Sequence, residues 1–161
     1  MTIEFILNGE DVAVHAEAER RLIDILQGSF GLLGAKMGCL LGRCGACSVI
    51  MNGLVVPACL IPASQIQSSA IVTIEGFSQT EAYQDILMGF GEAGVENCGY
   101  CDAGKILVAE ALLAKNPHPS RNAILTGFNG IKCRCTEPES LYAGVLAAGE
   151  NRRRRIYGRS S

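Results

Sequence analysis

Eight cysteines stand in two quartets of unlike design: Cys39, Cys44, Cys47 and Cys59 spaced C-x4-C-x2-C-x11-C, and Cys98, Cys101, Cys133 and Cys135 spaced C-x2-C-x31-C-x-C. Thiols a few residues apart can turn their sulfurs toward one centre while the backbone between them loops around it, which is the arrangement of a metal site. The chain must fold so that each quartet converges, and this requirement constrains it more than any hydrophobic pattern does.

Disulfides would need an oxidising compartment, and Met1-Thr2-Ile3-Glu4-Phe5 has neither the basic nor the apolar region of a secretory signal. Zinc accepts C-x2-C pairs such as Cys44/Cys47 and Cys98/Cys101. Its sites commonly join two similar pairs, however, whereas one quartet here is clustered in a loop and the other ends in a tight Cys133-Arg134-Cys135. The first quartet has the C-x4-C-x2-C…C spacing with which plant-type ferredoxins hold a [2Fe-2S] cluster. Gly31, Gly34, Gly38, Gly42 and Gly45 lie around it, and glycine permits the close backbone approach such a loop needs. Iron with sulfide is the expectation; a zinc-stabilised interaction module without redox function is the alternative.

The formal net charge of -2 argues against a general nucleic-acid binder. No apolar run approaches the ~20 residues of a membrane span. With no targeting segment recognised, the expected location is cytoplasmic. Arg152 to Arg155 form a basic run that reads as a solvated C-terminal tail over 151–161. Two clusters in 161 residues leave little room for a substrate pocket, which favours electron transfer over chemistry on a bound molecule.

Residues 2–15 predict a hairpin, with Ile3, Phe5 and Leu7 alternating before an Asn8-Gly9 turn and Val12 and Val14 after it. Leu22, Ile25 and Leu26 predict a short helix ending at Gly28. A second hairpin runs through Asn52-Gly53 to Cys59, and Ile71 to Ile74 reads as a last strand. Beyond it the period becomes helical: Ala82, Ile86, Leu87 and Phe90 share one face, and Cys101, Lys105, Val108 and Leu112 another. Asp102 and Ser120 are expected helix caps, Asn116-Pro117 a stop, and Thr136 with Glu139 a capping box ahead of Leu141, Val145 and Leu146. The helix N-terminus beside Cys101 would stabilise thiolate and sulfide charge. Gly89-Phe90-Gly91-Glu92-Ala93-Gly94 matches G-x-G-x-x-G, but no strand precedes it, so a dinucleotide site is not expected. His15 and His118 read as structural or solvent-exposed, and Met37, Met51 and Met88 as core or gap-filling.

Several stretches, taken in order, carry a resemblance: Asn8-Gly9, Lys36-Met37-Gly38-Cys39, Gly42-Arg43-Cys44-Gly45-Ala46-Cys47-Ser48-Val49, Cys59, Thr73-Ile74-Glu75-Gly76, Cys98-Gly99-Tyr100-Cys101, Ala111-Leu112-Leu113 with Asn116-Pro117, and Cys133-Arg134-Cys135-Thr136. Over residues 2–148 the chain resembles the small iron-sulfur subunit of the molybdenum hydroxylases, the xanthine dehydrogenase and aldehyde oxidoreductase family. The resemblance implies an α+β fold: a plant-type ferredoxin (β-grasp) domain over 1–77 holding one [2Fe-2S] cluster, and a four-helix domain over 78–150 holding a second. It implies a large partner subunit carrying molybdopterin, in bacteria often the cytosine dinucleotide form, and an FAD-binding partner subunit. The implied reaction is hydroxylation of an aldehyde, purine or N-heterocycle with water as oxygen source. Electrons would leave through the pterin, the helical-domain cluster and the ferredoxin-type cluster to FAD or another acceptor. By the same resemblance Cys135 and Asn97 face the pterin. A free-standing ferredoxin is a further alternative.

The chain departs from the family's usual pattern around the second quartet. Asn97 replaces a Gln, Asp102-Ala103 replaces Thr-Pro, Ile131-Lys132 replaces Asn-Leu, and Glu137-Pro138 replaces Gly-Tyr. Lys36, Arg43 and Arg134 are the cations nearest the cysteines in sequence; each could offset cluster charge or face solvent.

Overall fold

The computed structural model describes residues 1–158. Strands β1 (Thr2–Leu7) and β2 (Glu10–His15) pair antiparallel with Ile3 opposite Val14 and Phe5 opposite Val12. Asn8 (φ 51°) and Gly9 (φ 84°) are both left-handed, the turn that matches strand twist in a two-residue hairpin. Helix α1 (Leu22–Gly28) follows, then a long loop, then the hairpin of β3 (Ser48–Met51) and β4 (Leu54–Pro57). Strand β5 (Ala70–Val72) inserts between the hairpins, parallel to β1 and antiparallel to β3, giving the order β2-β1-β5-β3-β4. Ile3, Phe5 and Leu7 on one face of β1 meet Leu22, Ile23, Ile25 and Leu26 of α1 in the first core. Burying side chains of this kind stabilises the half by about 1.5–3 kcal/mol each.

The expected strand Ile71–Ile74 stops early: Ile74 begins a short helix, α2 (Ile74–Phe77). Asn8 ends the strand. Its Oδ1 accepts from Thr73 N–H at 2.8 Å and its Nδ2 donates to Thr73 Oγ1 at 2.9 Å, occupying groups the ladder would use.

The second half is helical: α3 (Glu81–Glu92), α4 (Asp102–Lys115), α5 (Arg121–Gly127) and α6 (Pro138–Tyr157). Ile86, Phe90, Leu107, Ile124 and Val145 form its core, and Ile50, Val55 and Val72 of the sheet pack against it. The G-x-G-x-x-G stretch lies in α3 and the turn after it, and its first glycine serves helix packing. A Cβ on Gly89 would sit 2.7 Å from Ala148 Cα and 2.8 Å from Gly144 O of α6.

Four local expectations are corrected. Asp102 is the first residue of α4 and Cys101 its N-cap. Asp102 Oδ2 instead accepts from Gly99 N–H at 2.9 Å, tying down the turn that precedes the helix. Thr136 does not cap α6 either; Glu137 holds that position with Pro138 behind it, and Thr136 bonds to Glu96 while Glu139 pairs with Arg121. Met37 and Met88 are exposed, because one sits in the cysteine loop and the other on the outer face of α3.

The fourth correction concerns the basic run, which over Arg152–Arg155 forms the last turns of α6 and not a solvated tail. Self-repulsion is offset by acids. Arg155 Nη2 donates to the buried Asp85 at 2.7 Å and Nη1 to Glu81 at 2.9 Å, Arg152 donates to Glu110 at 2.5 Å, and Arg153 pairs with Glu150 at 3.0 Å. Residues 159–161 of the expected tail lie outside the described residues. No helix among the described residues is long and apolar enough to cross a membrane.

Candidate metal centres

Cys39, Cys44 and Cys47 of the first quartet sit on the loop between α1 and β3, and Cys59 on the turn after β4; the loop is fastened at its base. Gln27 Nε2 donates to Ala35 O at 2.7 Å, Gly34 N–H donates to Glu75 Oε2 at 2.9 Å, and Lys36 N–H donates to Ala46 O at 2.9 Å. Between these ties the chain is left-handed at Leu40 (φ 55°), Gly42 (φ 72°) and Gly45 (φ 77°). That curl aims the N–H groups of Leu41, Arg43 and Cys44 at Cys39 Sγ, at 3.3, 3.2 and 3.4 Å. Ala46 N–H donates to Cys44 Sγ and Cys59 N–H to Cys47 Sγ, each at 3.4 Å. The three amides hold the Cys39 thiol down to about 6. Cys47, buried against the first core, is pushed up to about 12 by that burial.

The second quartet joins two separate turns. Cys98 lies in the exposed turn before α4 and Cys101 caps that helix; Cys133 and Cys135 flank exposed Arg134 between α5 and α6. Thr136 stitches the turns, donating from Oγ1 to Glu96 O at 3.0 Å and accepting from Glu96 N–H at 3.1 Å. Burial pushes Cys101 up to about 12. Burial raises Cys133 too, but amides of Cys135 and Thr136, with Cys101 and Lys105, outweigh it and leave this thiol lowered. Cys98 is lowered first by the Tyr100 amide, while Cys135 is raised by its contact with Cys98.

Within each site the thiols are near enough to act on one another: Cys39 and Cys44, Cys47 with Cys44 and Cys59, Cys98 with Cys101 and Cys135, and Cys133 with Cys101 and Cys135. Among the described residues no three His, Cys, Asp or Glu side chains converge on one ion position. A tetrahedral zinc would draw four sulfurs to ~2.3 Å from a single point. Amides pointing at the sulfurs suit a two-iron cluster, in which four thiolates are shared between two metals and hydrogen bonds to sulfur carry part of the charge. The residues present therefore fit [2Fe-2S] groups.

The two sites touch. Lys132 N–H, one residue before Cys133, donates to Cys44 O at 2.9 Å. Tyr100, from the second quartet's turn, reaches across so that its hydroxyl lies beside the Cys44 thiol. A Cβ on Gly38 would strike that hydroxyl and lie 2.6 Å from Cys44 Sγ. Gly45 and Gly104 pack backbone to backbone beneath Ile131, where a Cβ on Gly104 would be 2.5 Å from Gly45 O. Two of the departures thus have structural places: Ile131 wedges between the sites and Lys132 links them. A cavity of about 710 Å³ is an apolar cleft between the β3–β4 hairpin and α4, and no cysteine lines it.

Cys98 and Cys135 are exposed, as is Asn97 beside them, whereas Cys47, Cys59 and Cys101 are buried. His15 and His118 are exposed and far in sequence from either quartet. Lys36 is half-buried and Arg43 exposed. Sequence reasoning missed Asn8 as the strand stop, Glu75 as a loop anchor, and Lys105. It placed Lys105 on a helix face without seeing that this ammonium is wholly buried below the second quartet; a lysine amid apolar positions four residues after Cys101 was the available signal.

Two family models match, one described as a 2Fe-2S iron-sulfur cluster binding domain over residues 10–93 and one as a [2Fe-2S] binding domain over residues 73–146. The nicotinate dehydrogenase small FeS subunit of Eubacterium barkeri is 43% identical over 150 residues, covering 93% of this chain and 96% of that one. The xanthine dehydrogenase iron-sulfur-binding subunit of Escherichia coli is 32% identical over 148 residues, covering 91% and 92%. Among solved structures, a chain of quinoline 2-oxidoreductase from Pseudomonas putida 86 superposes with a TM-score of 0.84 at 36% identity, covering 95% of this chain and 96% of that one. The chain belongs to the small iron-sulfur subunits of the molybdenum hydroxylases, the xanthine dehydrogenase and aldehyde oxidoreductase family.

Proposed function

We propose that this chain is the electron relay of a molybdenum hydroxylase, holding one [2Fe-2S] cluster on Cys39, Cys44, Cys47 and Cys59 in a ferredoxin-type domain over 1–77 and another on Cys98, Cys101, Cys133 and Cys135 in a helical domain over 78–150. The observation that carries the reading is the set of five backbone amides aimed at sulfurs of the first site, which adjoins the second through the bond from Lys132 N–H to Cys44 O. When bound, the clusters supply one-electron transfer; the chain holds the sulfurs, directs amides at them and joins the two sites through backbone.

The exposed edge of the second site, with Cys98, Cys135 and Asn97, is the side that meets the large molybdopterin-binding subunit. Electrons enter there, pass to the first site, and leave to an FAD-binding subunit or another acceptor. Two relatives are named as subunits, which supports a bound complex over a free-standing ferredoxin. Nicotinate dehydrogenase and quinoline 2-oxidoreductase are named for N-heterocycles, and an N-heterocycle is accordingly the substrate class we assign to the complex ahead of an aldehyde or purine.

The test is purification of the native assembly with metal, sulfide and EPR analysis. The reading expects a heteromeric complex containing molybdenum, about four irons per copy of this chain, and two distinct [2Fe-2S] signals after dithionite. A zinc-bearing chain without sulfide would overturn the cluster assignment. An intact two-cluster chain isolated only as a monomer would overturn the relay.

A further inference from the structure

Lys105 is the one lysine or arginine buried among the described residues, with no exposed surface at all. Its Nζ donates to Glu96 O at 2.5 Å and stands 3.7 Å from Asp102 Oδ1. That carboxylate oxygen is itself buried without a hydrogen-bond partner, so the charge of Lys105 is its compensation. A lysine taken wholly out of water requires negative charge nearby, and a single carboxylate at that distance is weak compensation. The remaining negative charge lies in the thiol set itself. The Glu96 carbonyl that takes the ammonium also accepts from Thr136 Oγ1 beside Cys135, and Lys105 N–H bonds to Cys101 O at 3.0 Å, so the ammonium sits among the segments that carry all four thiols. Among the described residues the first site has no buried cation of its own, since Lys36 is half-buried and Arg43 exposed.

We infer that Lys105 is the built-in counter-charge of the second cluster, raising that cluster's reduction potential relative to the first, with Asp102 as a partial brake. This rests on the cluster assignment above. Reduction adds one electron to the cluster and neither makes nor breaks a bond, so it adds one negative charge to a group that four thiolates already make anionic. A fixed cation close by favours the reduced form, and a fixed anion disfavours it. Dithionite supplies the electron in the test, and the reduced molybdenum partner would supply it in the assembly.

The experiment is an EPR-monitored redox titration of the full chain, as wild type, Lys105→Met and Asp102→Asn. Both substitutions conserve volume closely, and Asn keeps an oxygen for the Gly99 amide. Lys105→Met is expected to make reduction of one cluster at least tenfold less favourable, about 59 mV downward for a one-electron couple, with the other signal unmoved. Asp102→Asn is expected to move the same signal upward. A purely structural lysine would not produce opposite shifts on one signal, so unchanged potentials in both variants would overturn the inference. Where Lys105→Met loses the second cluster outright, the Asp102→Asn shift decides: upward supports the inference, absent or downward overturns it. A wild-type chain with no iron and sulfide would instead overturn the cluster reading, which separates the two failures.

Discussion

The two quartets solve one electrostatic problem by different means. Around Cys39, Cys44, Cys47 and Cys59 the chain uses backbone: five amides reach three sulfurs, and left-handed residues at 40, 42 and 45 exist to aim them. Around Cys98, Cys101, Cys133 and Cys135 it adds to the amides of Tyr100, Cys135 and Thr136 a helix N-terminus and a buried side-chain cation, Lys105. Amide dipoles are partial charges fixed by loop geometry, whereas a lysine is a whole charge that one substitution removes. The first site is therefore robust to side-chain change and the second tunable by it. A counter-charge at the second site favours electron entry there and makes the onward step to the first site less downhill.

The sharpest way to break the comparison is to delete one ligand from each site. Cys47→Ser and Cys101→Ser should each lose about two of the four irons and a different EPR signal, since each removes a buried thiolate from a four-thiolate set. Loss of both signals from either variant would mean that the sites assemble as one unit. Gly45→Ala attacks the seam between them: Gly45 has φ 77°, and an added Cβ would lie 2.5 Å from Gly130 O and 3.1 Å from Ile131 Cα. It should cost at least about 2 kcal/mol in denaturant unfolding and weaken retention of both clusters, because strain and collision fall where the two loops touch. Arg155→Ala should destabilise the helical half by about 2 kcal/mol, below the 3–5 typical of a fully buried pair, since Arg152 still stands 3.8 Å from Asp85. Under rising denaturant its second-site signal should fade before the first; simultaneous loss would show a single cooperative unit.

Legibility followed the range of the interaction. The hairpins were readable because Asn8-Gly9 and Asn52-Gly53 fix two-residue turns locally and the alternation of Ile3, Phe5 and Leu7 sets the buried face. The early end of β5 was not, because Asn8 imposes it from 65 residues away. The Arg152–Arg155 run misled for the same reason: its charge repels itself in sequence, and Asp85 and Glu81, 70 and 74 residues from Arg155, neutralise it only in the fold. The cysteines were plain as two groups, but the Thr136–Glu96 stitch that holds the 98–101 turn to the 133–135 turn is one that no spacing rule supplies.

Tyr100 offers the finest test, because it belongs to the second quartet by sequence and acts on the first by contact. Its ring leaves the Cys98–Cys101 turn, and its hydroxyl meets Cys44 at the glycine gap left by Gly38. The negative charge of Cys44 pushes the phenol's own pKa up, as expected of a hydroxyl beside a thiolate to which it can donate. Tyr100→Phe removes that donor and leaves the ring in place. A hydrogen bond to a ligand sulfur favours the reduced cluster, so its loss should lower the potential of the first cluster, by less than Lys105→Met lowers the second, since Tyr100 is 48% exposed and water can replace part of the bond. The two variants should thus move different EPR signals in the same direction. A Tyr100→Phe shift on the second signal instead would show that position in the turn, and not contact across the seam, decides which cluster this residue serves.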